Sequence, residues 1–299
     1  MKKFFKRTLV VFLLLLFIVA SFEYLLYRMN RSTYPTLTHI SYFQHFKYFD
    51  NIFEDIFINL YRPVENAKSK ESPIIIFGCS YAFGDDLDKS ETFSHKLAKY
   101  TNSPIYNFAM GGFGVQHMYY ELNNAEMQNR YLKNMKEPKY VFYVYVPVQN
   151  IRLYNHVFIP FETNDYLQYD IKTLKRVIYP KIFYHSFILK NLDILIASKK
   201  QNNLRLNEKY LVKYFSASKE IMGKKWKHTK YYILFMGENQ YNDFVKDVAN
   251  KSGWNYVILD DMIDGHILDS KYVISETDRH PNGHLWDVLS PKIAKKLDL

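Results

Sequence analysis

The stretch IIIFGCSYAFG at residues 74–84 decides how the rest of the chain is interpreted. An apolar run rich in isoleucine ends at Gly78, and Ser80 follows two positions later. A short apolar run that ends at a turn residue predicts a strand buried on both faces of a parallel sheet. Open α/β sheets bind their ligands at the carboxyl ends of the strands. Ser80 is therefore expected at a ligand-binding edge of the sheet.

Similar apolar runs recur along the chain and are separated by longer segments with helical patterns. The predicted strands are Pro73–Gly78, Pro104–Ala109, Tyr140–Pro147, Tyr231–Met236 and Asn255–Leu259. The helical segments include Thr92–Tyr100 and Val115–Leu132. Strands that alternate with helices predict a parallel sheet covered by helices on both faces.

A second polar motif, TDRHPN, lies near the end of the chain at residues 277–282. It places Asp278 two residues before His280, so that the chain holds the three side-chain types of a serine hydrolase. An imidazole titrates near neutrality, and it can take the proton of Ser80 and return it to a leaving group. A carboxylate would hold the ring tautomer. Pro281 is expected at the first position of the final helix.

The same residues also have structural interpretations. A serine that follows a buried strand is often a helix N-cap. Cys79 is an alternative nucleophile, but the single cysteine of the chain is also a typical small buried residue, and it excludes an intrachain disulfide. His284 is an alternative base. The pair Asp278 and His280 could by itself be a surface charge cluster, and the Pro-Asn that follows favours His280.

Four blocks of this sequence resemble those of the SGNH (GDSL-like) hydrolases. GCSYAFG at 78–84 is similar to the first block, G-x-S-x-x-x-G, and YNFAMGGFG at 106–114 is similar to the second. DRHPN at 278–282 is similar to the last block. The third block, VPVQNI at 146–151, departs from the family's asparagine pattern. The resemblance spans residues 71–299 and implies an α/β fold, namely a flavodoxin-like three-layer α/β/α sandwich with a five-stranded, mostly parallel sheet.

The resemblance also implies roles for individual residues. Catalysis would use Ser80, His280 and Asp278. The oxyanion would be bound by the backbone amides of Ser80 and Gly112, with Gly111 as the neighbouring alternative to Gly112. A side-chain amide of the third block would complete the site, and either Gln149 or Asn150 would supply it.

The amino terminus is typical of a membrane anchor. Four basic residues within 1–7 precede the apolar run Leu9–Ala20, which continues to Tyr27 with Glu23 as its strong break. The basic start predicts a cytoplasmic N-terminus, and a cleaved signal peptide is the alternative. The expected organisation has three parts. They are a cytoplasmic stub and anchor at 1–28, a juxtamembrane connector at 29–70, and an SGNH-like domain at 71–299 with an insertion at about 151–229 over the carboxyl edge of the sheet.

Charge and motifs argue against several classes of protein. The formal net charge is +10, of which +5 lies in the first 31 residues. The remainder is mildly basic and shows no dense Lys/Arg stripe, so nucleic acid is not an expected partner. The sequence has no HExxH motif, no paired cysteines and no Walker or Rossmann glycine fingerprint. Neither a metal nor a cofactor is therefore expected.

Together these features predict a single-pass membrane enzyme whose catalytic domain is extracytoplasmic. The expected activity is that of a serine esterase or O-acyltransferase on short acyl esters, above all acetyl, of a cell-envelope polysaccharide. Transfer would need an acyl donor, for which a membrane partner is a candidate. Two alternatives remain at this stage: a lipid or lysophospholipid esterase, and a catalytically silent SGNH-like module that binds glycan or acts as a scaffold.

Overall fold

The computed structural model describes residues 62, 64–154 and 202–299, together with Ile18, Ser21 and short pieces at 167–169, 176–178, 195–196 and 199–200. The predicted anchor at 1–28 and most of the connector at 29–70 lie outside the described residues. Within the described parts of the chain, every helix is too short or too polar to cross a bilayer.

The core of the fold is a five-stranded sheet in which every pair of neighbouring strands is parallel. Its strands are β1 (Ile74–Gly78), β2 (Ile105–Asn107), β3 (Tyr140–Tyr145), β6 (Lys230–Phe235) and β7 (Asn255–Ile258), in the order β2-β1-β3-β6-β7. The five predicted strands are confirmed, and this order is the one found in flavodoxin-like sheets. Two further strands, β4 (Leu167–Tyr169) and β5 (Arg176–Ile178), form a separate antiparallel pair.

Seven α-helices of four or more residues are found among the described residues. They are α1 (Ser80–Phe83), α2 (Phe93–Ala98), α3 (Val115–Asn123), α4 (Gln149–Arg152), α5 (Leu204–Gly223), α6 (Asn242–Ser252) and α7 (Gly283–Leu297). Short helical turns at Ala125–Met127 and Gln128–Leu132 follow α3, so the predicted helix at Val115–Leu132 is interrupted. Three-residue 3₁₀ turns lie at Lys89–Glu91, Asn239–Tyr241 and Asp260–Met262.

Strand β1 shows why an uninterrupted apolar run was needed at this position. Ile74 and Ile76 point into the core formed with α2 and α7. Ile75 and Phe77 point into the core on the opposite face, formed with α3, α5 and α6. All four side chains are buried, and burial of each stabilises the fold by about 1.5–3 kcal/mol. The α/β/α sandwich therefore follows from two apolar faces on one strand.

Helix α5 lies within the predicted insertion at about 151–229, but it belongs to the sandwich. Its buried residues include Leu211, Tyr214 and Phe215, which pack in the same core as β3 and α6. Residues 204–223 therefore cover a face of the sheet and not its carboxyl edge. Apart from 151–154 and the short pieces named above, residues 151–201 lie outside the described part of the chain.

The globular unit also begins earlier than the predicted boundary at residue 71. Glu65 forms an antiparallel bridge with Ile105, with backbone hydrogen bonds of 3.2 and 3.0 Å in the two directions. Arg62 contacts the turn after α1, as described below. Part of the predicted connector is thus packed against the domain.

The start of α7 differs from the prediction. Pro281 forms an isolated antiparallel bridge with Val273 and does not open the helix. Asn282 is the N-cap, and its side chain accepts a hydrogen bond of 3.1 Å from the amide of Leu285. A side-chain oxygen at this position satisfies one of the free amides of the first turn. A proline has no such oxygen.

Replacement of Gly78 by alanine is expected to destabilise the protein. An added Cβ would lie 2.9 Å from Ala82 Cβ and 3.1 Å from the carbonyl oxygen of Val144, and overpacking of this kind costs about 1–3 kcal/mol. Gly223→Ala is the control, because nothing lies within 4 Å of its added Cβ. Urea unfolding should show a lower free energy of unfolding for Gly78→Ala alone. Equal stability of both variants would contradict the close approach of Ala82 and Val144 to Gly78.

Candidate functional site

Ser80 lies at a sharp turn from strand to helix. Strand β1 ends at Gly78, Cys79 occupies the N-cap position, and Ser80 is the first residue of α1. The helix ends after one turn at Gly84, which adopts a left-handed conformation with φ 80° and donates its amide to the Ser80 carbonyl over 2.8 Å. Ser80 is 4% exposed. The nucleophile candidate is therefore held at the carboxyl edge of the sheet by backbone on both sides.

Residues 272–282, here called the catalytic loop, fold back on themselves. The bridge between Val273 and Pro281 pairs the two arms of the loop, and the amide of Ile274 donates to the carbonyl of His280 over 2.9 Å. Asn282 strengthens the base of the loop, because its Nδ2 donates to the carbonyls of Lys271 and Val273 at 3.0 Å each. The asparagine of the DRHPN motif thus caps α7 and closes the loop.

The catalytic loop brings the three predicted side chains into one chain of hydrogen bonds. His280 Nε2 lies 2.8 Å from Ser80 Oγ, although the two residues are 200 positions apart. His280 Nδ1 lies 2.5 Å from Asp278 Oδ1, which also accepts the backbone amide of His280 at 3.0 Å. This arrangement holds the imidazole between a hydroxyl and a carboxylate. Chemically, it suits removal of a proton from Ser80.

Tyr81 supports the imidazole from the side. Its ring centroid lies 5.0 Å from that of His280, with the planes tilted by 46°. Burial, with smaller contributions from the nearby Cys79 and Asp278, raises the pKa of Tyr81 to about 12. The phenol is therefore neutral at physiological pH and adds no charge beside His280. No pattern in the sequence had indicated a role for Tyr81.

Two backbone amides that follow strands of the sheet are available as donors. The amide of Ser80 belongs to the first turn of α1, where helical amides have no partner within the helix, and Gly112 follows β2 with φ 78°. Within the described part of the chain, neither amide donates a hydrogen bond. A positive φ of this size favours glycine. These are the two amides predicted to bind an oxyanion.

Gln149 and Asn150, the two candidates of the third block, differ in their hydrogen-bond partners. The Oε1 of Gln149 accepts the Tyr143 hydroxyl at 2.9 Å, and its Nε2 donates to the Val144 carbonyl at 3.2 Å. Both ends of that amide are therefore used inside the fold. The Oδ1 of Asn150 accepts the Tyr145 hydroxyl at 2.6 Å. Its Nδ2 donates to no other described residue, so Asn150 is the one of the two whose amide group remains available to a ligand.

Asn107 is a buried residue of the second block whose role the sequence did not reveal. Its Nδ2 donates to the Ala82 carbonyl at 2.8 Å, and its Oδ1 accepts the amide of Ala109 at 3.0 Å. It thereby ties the end of β2 to the helix that begins with Ser80. A polar residue that ends an apolar run could have signalled this contact, because buried amides need partners.

Arg62 was also missed, and it holds the other end of the same helix. Its Nε donates to the Phe83 carbonyl at 3.0 Å, and its Nη2 donates to the carbonyls of Gly84 at 2.6 Å and Leu87 at 3.4 Å. The guanidinium also lies 4.3 Å from the centroid of the Phe83 ring. A cation at the carboxyl end of a helix satisfies its free carbonyls. No local pattern in the sequence relates Arg62 to Ser80.

The alternative catalytic residues lie in structural positions. Cys79 is fully buried and packs in the core with α2 and α7. His284 lies on α7, where its ring stacks on Tyr272 with centroids 5.6 Å apart. The hydrogen-bond partner of Ser80 Oγ is His280 and neither of these residues. Among the described residues, no group of three or more His, Cys, Asp and Glu side chains is arranged to hold a metal ion.

Comparison with protein-family models gives no match, and comparison with curated proteins gives none. Among solved structures, this chain is similar to one described as a lipolytic protein of the G-D-S-L family from Desulfitobacterium hafniense DCB-2. The identity is 9% and the TM-score 0.40, over 75% of this chain and 99% of that chain. It is also similar to an acetyl xylan esterase from the rumen bacterium Butyrivibrio proteoclasticus, with 12% identity and a TM-score of 0.41, over 76% of this chain and 63% of that chain.

A third similar structure is a carbohydrate esterase family 2 enzyme of Corynascus thermopiles. Here the identity is 13% and the TM-score 0.44, over 77% of this chain and 66% of that chain.

Replacement of Asn150 by alanine is expected to lower kcat for ester hydrolysis by about 100-fold or more, because loss of one oxyanion donor has an effect of that size. Gln149→Ala is the matched comparison. It leaves the buried Tyr143 hydroxyl without its partner and should lower stability by about 1–3 kcal/mol, with a smaller loss of kcat. Steady-state kinetics and thermal unfolding of both variants check this. The reverse pattern would identify Gln149 as the donor.

Proposed function

We propose that this protein is a serine esterase that cleaves short acyl esters through Ser80, His280 and Asp278. The observation that carries the proposal is the continuous hydrogen-bond chain from Ser80 Oγ through both nitrogens of the His280 ring to Asp278. A serine hydroxyl is a weak nucleophile until a base takes its proton. The contact of 2.8 Å lies within the reach that proton transfer needs.

In the acylation step, Ser80 Oγ attacks the carbonyl carbon of the ester while His280 Nε2 takes the hydroxyl proton. The negative charge moves to the carbonyl oxygen, where the amides of Ser80 and Gly112 and the Nδ2 of Asn150 would stabilise it. Asp278 stabilises the imidazolium and keeps the ring in place. The bond to the alcohol then breaks, the alcohol leaves with the proton from His280, and the acyl group remains on Ser80.

In the second step, a hydroxyl group attacks the acyl-enzyme and His280 takes its proton. If the attacking group is water, a carboxylic acid is released and Ser80 recovers its proton. If it is the hydroxyl of another molecule, a new ester forms and the protein acts as an O-acyltransferase. Both outcomes use the same residues, and the acceptor that reaches the acyl-enzyme first decides between them.

The proposed substrate is an acetylated polysaccharide of the cell envelope. This part of the proposal is supported by the basic and apolar residues 1–27, which are typical of an anchor with a cytoplasmic N-terminus. Such an anchor would place Ser80 outside the cytoplasm, next to envelope glycans and to a membrane partner that could donate acyl groups. A lipid or lysophospholipid ester is the alternative substrate at the same location.

Ser80→Ala is expected to lower the rate of acetate release from p-nitrophenyl acetate by at least about 10⁴-fold in the purified full-length chain, because it removes the nucleophile. A fluorophosphonate probe should label the wild type and not the variant. Ser290→Ala is the control, since Ser290 is fully buried in α7 and its Oγ has no partner among the described residues. Absence of both hydrolysis and labelling in the wild type would favour the silent glycan-binding module.

Deletion of the gene for this protein is expected to change the acetate ester content of envelope glycans in the host. Loss of an esterase raises that content, and loss of an acyltransferase lowers it. The full chain should restore the wild-type value, whereas a chain without residues 1–28 should leave the membrane fraction and fail to restore it. Chemical analysis of glycan and lipid esters checks this. A change confined to lipid esters would instead support the lipid esterase.

A further inference from the structure

The carboxylate of Asp85 lies at the border of the proposed active site. Asp85 follows α1, and its amide donates to the Ser80 carbonyl at 3.1 Å. Its Oδ2 lies 2.8 Å from the position that a Cβ on Gly111 would occupy. The carboxylate therefore lies against the backbone of the glycine that precedes Gly112, a proposed oxyanion donor. A side chain at position 111 would collide with it.

This carboxylate has no partner in the described part of the chain. Asp85 is partly buried, yet its side chain makes no hydrogen bond and no ion pair there. Burial raises the pKa of Asp85, and the nearby His280 lowers it, which places the carboxyl group in the electrostatic surroundings of the catalytic imidazole. A group of this kind beside a reaction site is a candidate for binding a ligand.

The turn that contains Asp85 is held by contacts with other parts of the fold. Arg62 donates to the carbonyls of Gly84 and Leu87, which flank Asp85 on either side. Gly84 itself adopts φ 80°, and an added Cβ there would lie 2.8 Å from Thr92 Cγ2. The turn that carries the carboxylate is therefore fixed at both ends. A fixed acceptor recognises a ligand better than a mobile one, because less freedom is lost on binding.

We propose that Asp85 is a binding subsite for a hydroxyl group on the alcohol part of the substrate, which favours esters of polyhydroxylated carriers such as sugars. The proposal rests on the proposed esterase function. In its ionised form this carboxylate only accepts hydrogen bonds, so the ligand of that form is a donor. The same form repels a negative carbonyl oxygen. Sugar hydroxyls next to the ester are donors of the required kind.

The test compares two esters that release the same acid. Methyl 6-O-acetyl-α-D-glucopyranoside has sugar hydroxyls in its alcohol part, and p-nitrophenyl acetate has none. For each full-length variant, the selectivity is the ratio of kcat/KM for the sugar ester to kcat/KM for p-nitrophenyl acetate. A ratio taken within one preparation is independent of the fraction of active protein. Thermal unfolding is measured on the same samples.

Asp85→Ala is expected to lower the selectivity about 10- to 100-fold, which is the usual effect of losing a hydrogen bond to a charged group. Asp85→Asn should lower it less, because the amide oxygen still accepts. Asp86→Asn is the matched control: Asp86 is exposed and has φ 60°, which asparagine also adopts. This control should keep both the selectivity and the absolute rates.

Unchanged selectivity in Asp85→Ala would overturn the subsite, as would a wild type that hydrolyses p-nitrophenyl acetate but not the sugar ester. A lower unfolding temperature with unchanged selectivity would show a purely structural role and would overturn it as well. Failure of the esterase function can be distinguished from failure of the subsite. In that case the wild type would hydrolyse neither ester and would not react with the fluorophosphonate probe.

Discussion

The contact between Ser80 Oγ and His280 Nε2 is the constraint on which the site depends. It joins the first strand of the sheet to a loop 200 residues later, so it forms only when both ends of the domain are in place. On one side, β1 and the short helix α1 fix the serine. On the other, the bridge between Val273 and Pro281 and the side chain of Asn282 fix the loop. The geometry of the proposed site is thus a property of the complete sandwich.

Much of this arrangement could be predicted from the sequence, because it depends on local patterns. Apolar runs identified all five strands of the main sheet, since a strand buried on both faces needs such a run. Asp278 and His280 are close in sequence, so their relation is fixed locally. The prediction for Pro281 was wrong by two residues. A proline tolerates the first helical position, but here Asn282 is the N-cap of the helix. Pro281 instead lies in the bridge with Val273 that pairs the two arms of the loop.

Other parts of the site depend on contacts between distant residues, which one sequence does not reveal. Gln149 and Asn150 carry the same functional group at adjacent positions. They differ because Tyr143 and Val144 occupy both ends of the first amide, whereas Tyr145 occupies only the oxygen of the second. The irregular pattern of the segment around α5 predicts an insertion, although the helix packs on the sheet. Its burial against β3 is a tertiary feature.

Arg62 extends the support of the nucleophile beyond the sheet. It contacts the turn after α1, whereas Glu65, three positions later, pairs with Ile105 at the start of β2. A displacement of Arg62 would therefore act first on the turn that supports Ser80, because its guanidinium binds the carbonyls of Phe83 and Gly84.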